Sequence, residues 1–216
     1  MQSQSGSPEL LAPARPAVSS APERVLKPED FAPRHSNGLD QFFSYIKGES
    51  GLSILDLAGV NQANVSFITN LGHKIYSEDF LRSLRLGANG EAQPRVEAFL
   101  SQNLAHQEAT FDGVLVWDAL EYLSTPLLTA TVDRLWRIVK PGSYLLAVFQ
   151  AQEKAESVTQ YSFRIQDSKT LLVADRGRRQ PEQVFNNRSL EKLFQNFESL
   201  KFFLARDKLR EVIVRR

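Results

Sequence analysis

The stretch LDLAGVNQAN, Leu55–Asn64, decides how the rest of the chain is read. It continues a short, mostly apolar run from Leu52, passes through an acid at Asp56, and leads into a helical face marked by Asn64, Phe67, Ile68 and Leu71 and closed by Gly72. Lys74–Glu78 then reads as a second strand. Strand, turn, helix and strand make a βαβ unit, whose crossover is right-handed in nearly all proteins. Turns at this place in nucleotide-binding sheets carry several glycines, because positive φ and a missing Cβ let the backbone approach a ligand closely. This turn carries one, Gly59.

The same rhythm extends outward from the turn. Upstream, Leu39, Phe42, Phe43 and Ile46 recur at helical spacing behind Asn37, with Gly48 as a stop. Downstream, Phe111–Trp117 is a buried strand, Thr125-Pro126 opens a helix, Pro141-Gly142 stops it, and Ser143–Phe149 is a further buried strand. Phe163 and Ile165 alternate toward a turn at Asp167–Lys169, and Leu171 and Val173 alternate after it, as in a hairpin. A helix carrying Leu190, Leu193, Phe194 and Phe197 precedes two last strands joined at Arg206–Lys208. Val96–Leu100 reads either as helix or as a stubby strand.

Composition sets the outer limits. Six of the ten prolines fall in the first 33 residues, among Ser, Ala and Gln, so residues 1–33 are expected to be a disordered leader and 34–216 one domain. Lys and Arg number 26 against 25 acids, so no broad field points to nucleic acid or an anionic membrane. There is no cysteine, which excludes disulfides and thiolate chemistry, and His35, His73 and His106 lack metal-ligand spacing. No run is long enough to span a membrane and no secretory signal opens the chain; a soluble cytoplasmic protein is expected.

SILDLAG, HKIYSED, FDGVLVWDALEYL, LWRIVKPGSYLLAVF and the final hairpin together resemble the class I S-adenosylmethionine-dependent methyltransferases, in order from about Asn37 to the C-terminus. The resemblance implies a Rossmann-like α/β fold: a mostly parallel seven-stranded sheet of order 3-2-1-4-5-7-6, helices on both faces and an antiparallel C-terminal hairpin. It also implies S-adenosylmethionine as cofactor. The family's acidic-x-Gly-x-Gly-x-Gly loop places Asp56 at the acid and Ala58, Val60 and Gln62 at the glycines, with Gly59 between the first two. Val60 is the hardest of these to accommodate, since a β-branched residue resists positive φ. A turn rebuilt around Gly59 would let Asn61 and Asn64 offer amide groups instead.

By the same resemblance Glu78, ahead of Asp79, would take the ribose, Gln102 or Asn103 would stand at the adenine edge, and Trp117, Asp118, Glu121 and Tyr122 would line the rim. No metal ligand and no specific catalytic group is implied. The loop lacks the Gly-x-Gly-x-x-Gly that a nicotinamide dinucleotide needs. Arg176–Arg179, expected on a loop after the hairpin, is the one basic patch. Two functions stay open: a methyltransferase acting on a small-molecule acceptor, or a non-catalytic methyltransferase-like scaffold that binds a partner.

Overall fold

The computed structural model describes residues 25–87, 94–151, 156–205 and 207–216. Two sheets form. The larger takes β2 (Ser53–Asp56), β3 (Lys74–Ser77), β4 (Phe111–Trp117), β5 (Val139–Gln150), β8 (Ser199–Leu204) and β9 (Leu209–Arg215) in the order β3-β2-β4-β5-β9-β8. β3, β2, β4 and β5 run parallel; β9 is antiparallel to both β5 and β8. The smaller sheet joins β1 (Ala32–His35), β6 (Val158–Asp167) and β7 (Thr170–Arg179) in the order β1-β7-β6, all antiparallel.

The central parallel strands β2, β4 and the second half of β5 are buried on both faces, as their apolar runs require, while β3 at the edge is not. Successive residues alternate between two cores: Leu55, Val114, Val116, Leu145 and Phe149 face one, and Ile54, Leu115, Trp117, Leu146 and Val148 face the other. The first core is covered by α3 (Phe80–Gly87), α4 (Val96–Gln102), α5 (Thr125–Ile138) and α6 (Asn187–Leu193). The second is covered by α1 (Asn37–Ile46), α2 (Gln62–Asn70) and the β6–β7 hairpin. Ser36 caps α1 by accepting from the Leu39 amide at 3.0 Å, and Leu39, Phe42, Phe43 and Ile46 are its buried face. Gly113 lets α1 sit close on β4: a Cβ there would stand 2.6 Å from the Phe42 ring.

The described residues depart from expectation in four places. The main sheet has six strands, because Val96–Gln102 is helical: Phe99 packs edge-on to Phe80 at 4.9 Å, and only Val96 and Phe99 in VEAFLSQ favour a strand. β3 is therefore the sheet edge. Arg176–Arg179 lies in β7 and not on a loop, since the ladder to β6 continues to Arg179↔Val158. Pro141-Gly142 lies within β5, α5 having already ended at Ile138. Finally, Ala32 and Pro33, the last residues of the expected leader, belong to β1 and pair with Val173 and Leu172. Arg34 secures that strand through ion pairs with Asp207 and the buried Glu211. Residues 1–24 of the expected leader lie outside the described residues.

Candidate functional site

In open parallel sheets, ligands bind outside the carboxyl ends of the strands where the strand order reverses. Here the chain leaves β2 for β3 on one side and returns to β4 on the other, so that crevice lies between Asp56–Ala58 and Trp117–Asp118. It is filled from above by β6. Phe163 stacks on Trp117 with ring centroids 5.1 Å apart and planes 10° off parallel. What remains is a cavity of about 30 Å³, room for a water or two, whereas small-molecule sites are roughly ten times larger.

The polar residues around the crevice hold β6 in place. One edge of β6 pairs with β7; the other has no strand beside it among the described residues. Along that free edge side chains of the main domain engage the backbone at every second residue. Gln150 Nε2 donates to the Thr159 carbonyl at 3.1 Å, Asp118 accepts from the Tyr161 amide at 3.1 Å, Asn61 Nδ2 donates to the Phe163 carbonyl at 3.1 Å, and Asn64 Oδ1 accepts from the Ile165 amide at 2.7 Å. The two-residue spacing is that of a strand's outward-facing backbone groups, so these four side chains satisfy a sheet edge that would otherwise be buried unpaired. Asn61 and Asn64 thus offer their amides to β6.

Asp56 is fully buried and also committed to the chain. It accepts from Trp117 Nε1 at 2.7 Å, Asn64 Nδ2 at 2.8 Å and the Ala58 amide at 3.0 Å. Burial pushes its pKa up, while the bonds from Asn64, Trp117 and Ala58 oppose the rise. Trp117 sits at φ +58°, an uncommon conformation for a bulky side chain, where the β4 register slips. Its indole is fixed between Asp56 and Phe163.

The turn pivots on Gly59. That residue, at φ +83°, is the turn's sole positive-φ position, and a Cβ on it would stand 3.0 Å from that of Asp79. Val60 needs no positive φ and points outward, 86% exposed. The Gly59 amide donates to the Glu78 carbonyl at 3.0 Å, and Ala58 bridges Asp79, so the loop leans on the end of β3.

Of the two acids there, Glu78 turns away from the crevice: its carboxylate meets His106 Nε2 at 2.7 Å and accepts from the Leu104 amide at 3.0 Å. Asp79 is the one that faces the crevice, lining both the residual cavity and a larger one outside it, while its Oδ1 accepts from the Arg82 amide at 3.0 Å. Asn103 is buried on Phe99, donating to its carbonyl at 3.0 Å, remote from either cavity.

Behind β6 lies a second buried polar group of residues. Glu121, 2% exposed, accepts from the Gln150 amide at 2.7 Å through one carboxylate oxygen. Burial pushes its pKa up to about 8, and that of Asp118 up to about 6; each charge also raises the cost of ionising Tyr122, whose hydroxyl burial pushes up further. The Arg179 guanidinium covers the Tyr122 ring at 4.5 Å. The Asp118 carboxylate is closed off from solvent, with its Oδ2 bonded to β6.

S-adenosylmethionine is the cofactor that the resemblance implies, and the filled crevice between β2 and β4 does not admit it as it stands; outside it, Ala58, Gly59, Asn61 and Asp79 line a cavity of about 580 Å³. The acid at the loop is saturated with donors, the candidate ribose acid Glu78 faces elsewhere, and aromatic rings occupy the volume. Of the residues that complete the two cavities, Phe163 and Arg164 are legible in the sequence only as hairpin residues and Arg176 only as part of a basic run expected after it; nothing in their spacing says that they lie over the crevice.

Among the described residues no helix is long and apolar enough to cross a membrane, and no group of three or more acids or histidines could hold a metal ion. Neither a protein-family model nor a curated protein sequence matches the chain. Solved structures do. The PH0226 protein of Pyrococcus horikoshii superposes with a TM-score of 0.51 at 13% identity, over 82% of this chain and 88% of that one. A SAM-dependent methyltransferase of Methanosarcina mazei gives 0.48 at 16% identity over 81% and 96%. The 1,6-didemethyltoxoflavin-N1-methyltransferase of Burkholderia thailandensis, solved with S-adenosylhomocysteine, gives 0.48 at 12% over 83% and 76%. At these identities the likeness is one of architecture. The chain has a Rossmann-like α/β fold, with a mostly parallel sheet that ends in antiparallel strands.

Proposed function

We propose that this chain is a non-catalytic methyltransferase-like scaffold, soluble and cytoplasmic, whose cofactor crevice is closed by its own β6–β7 hairpin. The observation that carries this reading is the capping of β6 by Asn61, Asn64, Asp118 and Gln150, with Phe163 laid on Trp117. Two of those groups, Asn61 and Asn64, come from the loop and the first turn of α2 that would have to receive a cofactor. Admitting one would break four hydrogen bonds, each worth about 0.5–1.5 kcal/mol net, and uncover two stacked rings. Calorimetric titration of the full chain with S-adenosylmethionine and S-adenosylhomocysteine tests the reading. No heat and no shift in unfolding midpoint are expected at about 1 mM ligand; saturation with a Kd below about 100 μM would end it.

A second reading is favoured by Asp79, which stands in the walls of both cavities. In it the hairpin lifts, and the protein is a methyltransferase with a small-molecule acceptor. Asp79→Ala would then weaken cofactor binding by roughly tenfold to a hundredfold, the worth of a charged hydrogen bond, while Glu78→Ala would instead loosen the Leu104–His106 segment.

A further inference from the structure

The main sheet has two edges, and they differ. At one, β3 is four residues long, and so short an edge strand resists pairing with another chain. At the other, β8 runs for six residues, SLKFFL, without proline, and no strand lies beyond it among the described residues. We propose that β8 pairs antiparallel with β8 of a second copy of this chain across a twofold axis, so that the two main sheets become one. The contact lies past β5 and β9 from the crevice and is independent of what the crevice holds.

The register of β8 on β9 fixes which backbone groups are free. Ala205 lies opposite Leu209, whose carbonyl accepts from the Ala205 amide at 3.0 Å. In an antiparallel ladder bonded pairs recur at every second residue, so Phe203, opposite Glu211, and Lys201, opposite Ile213, also bond β9. Leu200, Phe202 and Leu204 therefore turn their N–H and C=O groups to the open edge. All three side chains are apolar, and Leu204 is 68% exposed, more than any other large apolar residue on a strand of the main sheet among the described residues. A lysine within an edge strand ordinarily guards it. Here Lys201 is drawn back onto its own chain: its Nζ donates to Gln41 Oε1 of α1 at 2.8 Å and stands 4.9 Å from the centroid of the Phe203 ring.

One self-pairing register uses all three outward residues, with Leu200 opposite Leu204 of the second copy and Phe202 opposite Phe202 on the axis. Each pair then exchanges both of its N–H···O bonds, and the apolar side chains meet on one face. On the other face Lys201 comes opposite Phe203 of the second copy, where ammonium and ring attract. Setting Leu200 opposite Phe202 instead would bring the two Lys201 side chains face to face, which is unfavourable. An isologous contact of this kind closes on itself and stops at two copies.

Sedimentation velocity of the full chain, from about 1 to about 300 μM, tests the pairing. One short strand pair falls below the roughly 1,200–2,000 Å² of a stable interface, so a reversible dimer with a Kd of about 10–100 μM is expected. Leu204→Pro removes an outward N–H without touching the β8–β9 ladder, and Leu204→Lys sets a charge at the same place; each should raise the Kd about tenfold or more. Leu86→Lys, the same change at a comparably exposed leucine of α3, should leave it unaltered. Hydrogen exchange reads the register: the amides of Leu200, Phe202 and Leu204 should gain protection as concentration rises, while those of Lys201 and Phe203 stay protected throughout. A single monomeric species up to about 300 μM, or a dimer as tight in Leu204→Pro, shown folded by circular dichroism, as in the parent, would overturn the proposal.

Discussion

Two antiparallel hairpins occupy the second half of the chain, and they are attached by different forces. The β8–β9 hairpin enters the main sheet: β9 pairs with β5 from Tyr144↔Arg215 to Gln150↔Leu209 and buries every residue from Leu209 to Val214. The β6–β7 hairpin has no ladder to that sheet. It lies across the carboxyl ends of the strands, joined by four side-chain bonds and the contacts of Phe163, Ile165 and Leu171 with the second core. The first hairpin belongs to the architecture; the second is a device laid upon it.

The largest effect expected is on the integrated hairpin. Val212 is fully buried between β5 and β8, and Val212→Asp would place an unpaired charge there, costing more than about 5 kcal/mol; the chain should lose its far-UV dichroism. Phe163→Ala should cost about 3 kcal/mol in urea unfolding yet act locally. Amides of residues 158–179 should then exchange much faster with solvent, while those of β5 and β9 stay protected. Equal loosening of both hairpins would erase the distinction drawn between them.

Acidity sharpens the comparison further. Asp118 and Glu121 are held above their ordinary pKa values, at about 6 and about 8, so the folded chain binds protons that the unfolded chain releases. Their contribution to stability is therefore complete below about pH 4 and is lost as pH rises through 6 and then 8. Glu121→Gln should remove most of the upper part of that decline and leave the variant roughly 2 kcal/mol more stable than the parent at pH 8, measured by urea unfolding across pH. The smallest effect concerns the stretch before β1. Removal of residues 1–24, whose composition offers little apolar surface to bury, should move the unfolding midpoint by no more than a degree or two.

Most of the fold is legible in the sequence because it is written in local apolar period: β4 matches Phe111–Trp117 residue for residue, and α5 begins at Thr125 as its Thr-Pro pair requires. The site is less legible because its decisive contacts join residues far apart in the chain. That Asn64 would bond Ile165, or that Glu78 would turn to His106, follows from no spacing near either residue. Ala58, Val60 and Gln62 stand where the resemblance implies glycines, and Asn61 and Asn64 do supply amide groups. Their recipient is a strand a hundred residues away. The basic run Arg176–Arg179 resisted reading for a related reason: polar residues continue the β7 ladder, so composition marks a loop where pairing continues.

The filled crevice has a kinetic and competitive side. A segment covalently joined to its own binding site faces that site at an effective concentration of millimolar order or above, and it cannot be diluted. Any freely diffusing molecule that sought the switch point would compete against a rival already present on the same chain. Raising that molecule's affinity is the weaker remedy. The stronger one is to weaken the bonds from Asn61, Asn64, Asp118 and Gln150 that seat β6 over Trp117, since a cut between β5 and β6 would leave the strand on the same chain through β7.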